Sequence, residues 1–291
     1  MTCGLPPNAS IAARDIPEVR PIPVETGYTS LGSLLADMQG LVPTGLIGEG
    51  GWERVQALTT RLPACAADAR FGFEFDLFDP NTTADFCLLL MPGSPITAFY
   101  EGQTAATAPL LVGPGFRNFL RGQTRDAQSL LNRTGAGIIL EYDLAQTLPG
   151  QHGPPGVFMA TSGSIDGRKA RLDGDPARLV AALESVAGWD PGAIDLEEVE
   201  RVRTAAAGAF VAQAGVMPGR GGPAVRLILQ GITTDELEET LKRLKWSGDS
   251  SLAAACLSDL SEFIALRAAL SLDVSSRGVS PPPGDGDVPT H

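Results

Sequence analysis

Two short segments of the chain carry the same alternation of acids and hydrophobics: Phe73-Glu74-Phe75-Asp76-Leu77 and Leu140-Glu141-Tyr142-Asp143-Leu144. On an extended strand alternate side chains share a face, so Glu74 and Asp76 project together about 7 Å apart, and Glu141 and Asp143 do the same. If the two strands are neighbours, four carboxylates meet on one surface. Such a surface could hold a hard divalent cation, Mg²⁺ or Ca²⁺, through oxygen ligands. Alternatively, mutual repulsion raises the proton affinity of one acid and leaves another ionised, the pairing that acid–base catalysis uses. The plainer alternative is that each acidic row is the wet side of an amphipathic strand, the dry side of the first being Phe71, Phe73, Phe75 and Leu77. Against it stands the recurrence of the motif, because like charges on adjacent strands cost stability.

His152 is the one histidine outside the C-terminal tail. It lies in the glycine- and proline-rich loop 150–156, shortly after Glu141 and Asp143, where an imidazole could carry protons to and from those acids at neutral pH. Otherwise it is a surface loop residue. Arg117, Arg121 and Arg125 recur at every fourth position and line one side of a helix, with Phe116, Phe119, Leu120 and Ala127 on another. In a chain of net charge −12, three aligned guanidiniums could clamp a phosphate or carboxylate, or meet an acidic partner. As a solvated face they would only offset the acidic remainder.

Other chemistries are excluded by type and spacing. Four scattered cysteines (Cys3, Cys65, Cys87 and Cys256) form no C-x-x-C pair, and with one histidine in the body of the chain the usual zinc sets cannot be assembled. Gly48-Glu49-Gly50-Gly51 before Trp52 is a helix-entry turn, since Glu49 would repel a phosphate and no nucleotide-loop spacing is present. Thr161-Ser162-Gly163-Ser164 offers hydroxyls without a nucleophile elbow. The negative charge opposes nucleic acid and anionic membrane surfaces as partners. No apolar run is long enough to span a bilayer, and the N-terminus lacks the cationic start and apolar run of a secretory signal. Cys87 and Cys256 sit in apolar stretches and read as buried, reduced thiols, which places the protein in the cytoplasm. Plentiful Ala, Gly, Pro and Arg with few Lys suggest a bacterial source.

The elements that must position these residues follow from periodicity. Helical spacing recurs from Trp52 to Leu62 and from Phe116 to Leu131. Asp175-Pro176 and Asp195 start two further helices, the second running from Leu196 to Ala207, and Thr233 with Glu236 predicts a capping box for a helix through Leu244. Another helix is expected from Ser251 to Ile264. Strands are expected at Phe71–Leu77, Asp85–Met91, Gly137–Leu144, Gly156–Thr161, Phe210–Met217, Ala224–Ile232 and Leu266–Val274. Trp52, Trp189 and Trp246 all lie at helix borders beside glycine.

This order predicts an α+β fold: a mainly antiparallel sheet built from related helix–strand–strand units, with helices packed against it. Residues 1–30 read as an extended Pro-rich arm. Residues 31–275 form one globular core, with an internal duplication whose halves lie near 45–165 and 166–275, and residues 276–291 read as a disordered tail. The leading functional expectation is a cytoplasmic enzyme using acid–base chemistry on a small-molecule or peptide-like substrate, as in a biosynthetic tailoring step. Glu74, Asp76, Glu141 and Asp143 would form its site, with His152 as proton carrier and Arg117, Arg121 and Arg125 as anion clamp. No cofactor is called for unless a divalent cation such as Mg²⁺ occupies the carboxylates. The alternative is a non-catalytic binding or accessory subunit that recognises a protein or peptide partner. An enclosed cluster favours the enzyme; a flat exposed one beside apolar surface favours the binder.

Overall fold

The computed structural model describes residues 27–43, 47, 50–74, 84–102, 114–125, 137–144, 154–160, 176–206, 209–219, 222–261 and 268–280. Helices α1 (Leu31–Met38) and α2 (Gly51–Thr59) precede strands β1 (Phe71–Glu74) and β2 (Asp85–Leu90). Next come α3 (Pro95–Gly102), α4 (Pro114–Arg125), β3 (Gly137–Tyr142) and β4 (Gly156–Ala160). The same order is repeated by α5 (Pro176–Ala187), α6 (Leu196–Ala205), β5 (Phe210–Val216) and β6 (Val225–Ile232). It returns once more in α7 (Thr234–Arg243), α8 (Ser250–Ser261), β7 (Ala268–Ser275) and β8 (Gly278–Ser280). The eight strands form a single sheet in chain order, antiparallel throughout.

The fold is α+β, as the alternation predicts, and the expected helix–strand–strand unit is roughly visible; among the described residues each strand pair is preceded by two helices. The physical reason is topological. One helix after a strand carries the chain to the opposite end of the sheet and sets up a parallel neighbour. Two helices, out and back, return it to the end it left, so the next strand pairs antiparallel. The described elements run from α1, ahead of residue 45, to β8, beyond residue 275.

Local signals account for the helix ends. Ser30 caps α1 by accepting from the Ser33 amide (3.1 Å), while the Ser33 hydroxyl accepts from the Ser30 amide (3.1 Å). This reciprocal box uses serine where the usual signature has Glu or Gln, and so gave no recognisable motif. Asp195 caps α6 through the Glu198 amide (3.1 Å). The box expected at Thr233 does not form: the Thr233 hydroxyl donates to the Glu236 carboxylate (2.9 Å) and caps no backbone group. Gly50, in the left-handed region at φ 68°, turns the chain into α2, where a side chain would strain the backbone.

Inward-facing strand residues and the apolar sides of α1 to α7 merge into one cluster, with α8 adding Ala253 and Leu257 at its margin. The cluster is aromatic at one end and aliphatic at the other. Trp52, Phe73, Phe86 and Tyr142 make successive ring contacts of 6.2, 5.9 and 6.3 Å, whereas Val216, Val225, Leu227 and Val274 fill the far end. The Tyr100 hydroxyl of α3 meets that of Tyr142 at 2.9 Å within this core, and burial pushes both phenols up. The expected tail is ordered at its start: β8 pairs with β7, and Val279 is buried. At the other end Tyr28 bonds Asp37 (2.8 Å), so the chain joins the fold before residue 31. No described helix is long and apolar enough to cross a membrane.

Candidate functional site

Because side chains alternate, the sheet face turned away from the helices carries the other set of strand residues. Across the first half, Gly72, Cys87, Glu141 and Gly156 lie side by side in one cross-strand row. The two acidic strands are thus not neighbours; β2 runs between them and places Cys87 there. The acids still meet. Glu74, Cys87 and Glu141 each offer a ligand atom within 4.8 Å of the others. Glu74 is exposed, and Cys87 and Glu141 are half-buried. Asp85 pairs with Glu74 across the strands, and its Oδ1 accepts from the Leu144 amide (3.2 Å), tying β2 to the end of β3. Asp143 follows β3 directly and is half-buried. Asp76 and His152 lie outside the described residues.

Burial pushes the Cys87 thiol well up, and the charges of Glu141, Glu74 and Asp85 push it further. At neutral pH it is therefore a neutral thiol, unsuited to nucleophilic attack. A metal ion could bind Glu74, Cys87 and Glu141 only by expelling the thiol proton. The mixed set of two carboxylates and one sulfur suits a Zn²⁺-like ion better than Mg²⁺ or Ca²⁺, which prefer oxygen alone. The expectation of buried thiols fails at Cys256, which is exposed on α8, while Cys87 is half-buried and keeps its proton; what that expectation left out for Cys87 is its register. Asp85, Cys87 and Leu89 share one face of β2, and that parity was available in the sequence.

No family model, no curated protein and no solved structure matches the chain.

Helix α4 buries Phe116, Phe119 and Leu120 in the helix-side core. Arg117 and Arg121 are half-buried on the same side of the sheet. Arg121 donates through Nε (3.0 Å) and Nη2 to the Glu101 carbonyl, where a cation meets the negative end of α3. The sheet stands between these arginines and the carboxylate face, so the two sets do not form one site. The Arg125 side chain lies outside the described residues.

The second half repeats the row with other residues: Gly215, Arg226, Asp273 and Ser280 are aligned across β5 to β8. Arg226 takes the place of Cys87, and Asp273 that of Glu141. The guanidinium is forked onto the carboxylate through Nε to Oδ1 (2.8 Å) and Nη2 to Oδ2 (3.2 Å). These side chains are only 8% and 15% exposed. Sequence reasoning missed this pair, whose members lie 47 positions apart.

Between the two rows the face is paved with apolar groups lying flat over glycines. A Cβ at Gly137 would strike Leu89 and Met91, and one at Gly215 would strike Phe158. Met91 is 37% exposed, and Ile139 and Met217 are half-buried. Phe158 is buried yet stands outside the helix-side cluster.

Proposed function

We propose that the chain is a binding or accessory protein that presents the sheet face opposite its described helices to a protein or peptide partner. The observation that carries this reading is the setting of the carboxylates. Glu74, Cys87 and Glu141 stand on a sheet face, beside Leu89, Met91 and Ile139, while α1 to α7 bury their apolar sides on the other face. Acids that drive proton transfer work best where walls exclude water and shape a substrate site. Of the three apolar groups Met91 is exposed, Ile139 half-buried and Leu89 buried; carboxylates beside such a partly exposed apolar edge suit docking of a larger partner. The test is site-specific photocrosslinking in the cells that make the protein. A photoreactive residue at Ile139 should capture a discrete partner, and one at Arg203, exposed on α6, should not. Equal labelling from both positions would overturn the reading.

The acid–base enzyme remains a second proposal, because Glu74 and Glu141 approach each other across Cys87. It requires turnover of a small or peptide-like substrate with a bell-shaped pH profile that loses one limb in Glu141→Gln.

A further inference from the structure

On the face opposite the described helices one cross-strand row runs from Leu89 through Ile139, Phe158, Gly215 and Arg226 to Asp273. The row is dry. Leu89, Phe158 and Arg226 keep 8%, 1% and 7% of their exposure, and Ile139 and Asp273 are half-buried. The Phe158 ring lies over Gly215, so its inner side rests on the sheet, and neighbours within the same layer shield only its edges. Shielding the outer side takes a second layer. Among the described residues the helices supply that layer on the other face only.

We infer that the N-terminal arm, residues 1–26, is the missing cover, laid across the strands as a polyproline-type stretch. At 26 residues it is the longest run of chain outside the described residues. It enters the fold beside the first strands, where Tyr28 bonds Asp37 (2.8 Å) and Ser30 bridges Pro63, shortly before β1. At about 3.1 Å per residue a stretch of that length reaches about 80 Å, against the roughly 34 Å spanned by eight strands about 4.8 Å apart. The arm's sequence favours this form. Pro17, Pro21 and Pro23 fix their own backbone angle and bias Ile16, Arg20 and Ile22 ahead of them toward extended conformations. With three residues per turn, Ile16, Val19 and Ile22 share one edge of the stretch, about 9 Å apart. Alternate strands lie about 9.5 Å apart, so successive apolar side chains of the arm meet every second strand. A sheet face offers side chains rather than backbone partners, and prolines, which donate no hydrogen bond, lose nothing there. The cover does not depend on the docking reading; where that reading holds, a partner has to displace the arm.

The experiment places a photoreactive residue at Ile139 in the purified full chain and maps its crosslinks by peptide mass spectrometry. They should fall within residues 14–24, and a label at Arg203 should give none there. Ile16→Asp, Val19→Asp and Ile22→Asp together should cut the Ile139 yield at least about tenfold, because burying one branched side chain is already worth about that factor. In the same variant hydrogen peroxide should oxidise the half-buried Met217 about threefold or more faster. Where the three aspartates disturb folding, the crosslink map of the unsubstituted arm decides alone. Crosslinks from Ile139 to another segment of the chain, or between two copies, overturn the inference, and so does a yield indifferent to the aspartates. If Ile139 captures a partner in cells but never the arm in the purified chain, the cover falls and the docking surface stands. If the arm is captured and no partner is, the cover stands and the docking reading falls. If neither is captured, both fall.

Discussion

Across β5 to β8 the row Gly215–Arg226–Asp273–Ser280 closes on itself, with a buried cation on a largely buried anion. Across β1 to β4 the matching row Gly72–Cys87–Glu141–Gly156 gathers acids around a thiol. The surrounding cores differ in the same sense: tilted aromatic rings in contact under the first half, branched aliphatics under the second. One architectural plan therefore carries two different polar rows. The second half spends its polar pair on holding two strands in register. The first half places its polar groups nearer the surface, Glu74 exposed and Cys87 and Glu141 half-buried. A buried ion pair fixes register only if both members stay, since a lone buried charge is costly. An exposed acid can be lost with little effect on the fold.

The comparison breaks if the two carboxylates cost the same to remove. Asp273→Ala should lower stability by about 3–5 kcal/mol, because Arg226 is left buried without its partner. Glu74→Gln, at an exposed position, should change it by about 0.5 kcal/mol or less, as for surface substitutions. Urea denaturation midpoints at constant slope would read both.

Truncation gives a somewhat smaller effect. A chain ending at Ser275 lacks β8 and its buried Val279. It should be about 2–3 kcal/mol less stable than one ending at Ser280, the burial of a branched side chain being worth that much. Equal melting curves for the two chains would show that β8 contributes nothing to closing the second half.

The glycines of the two rows sharpen the contrast further. A methyl at Gly215 would meet the Phe158 ring at 2.3 Å and the Val157 carbonyl at 2.7 Å, whereas one at Gly72 meets nothing within 4 Å. Gly215→Ala should cost about 1–3 kcal/mol through overpacking, and Gly72→Ala should be neutral or slightly stabilising. The thermal midpoints of the two variants should separate accordingly.

The smallest effect expected is at Cys87. Its thiol is raised in the folded protein by burial and by Glu141, Glu74 and Asp85. Below the ordinary thiol pKa of about 8.5 both folded and unfolded forms keep the proton, so its contribution to stability is fully present. Above that pH the unfolded chain ionises first, and stability falls as pH rises toward the folded value. Cys87→Ala should flatten this alkaline decline. At pH 8, iodoacetamide should modify exposed Cys256 well before Cys87, and Glu141→Gln should speed modification of Cys87. An unchanged alkaline decline in Cys87→Ala would remove the thiol from the account.

Much of the framework was legible because its signals are local. Alternation marks Phe71–Glu74 and Gly137–Tyr142, and Asp195 stands where a helix begins. Other parts were not. Helix α3 is a short Pro-Ile-Thr-Ala-Phe-Tyr stretch with β-branched and aromatic residues, and it is held by Tyr100 reaching Tyr142 in the core. Helix α1 follows a Pro-rich arm and is capped by two serines. Neither displays a strong intrinsic preference, so packing decides them.

By itself, the sequence determined the α+β class, the antiparallel habit and the acidic surface of the strands around Glu74 and Glu141, since these follow from residue type and a period of two. The tertiary structure decided the order of strands, and with it everything specific to the site. It put β2 between β1 and β3, seated Cys87 between two glutamates, set Arg226 on Asp273, and left the Arg117–Arg121 side of α4 beyond the sheet. Those pairings join residues tens of positions apart, and no local preference encodes them. They are selected when one face of every strand is buried at once, which fixes the register of all the others.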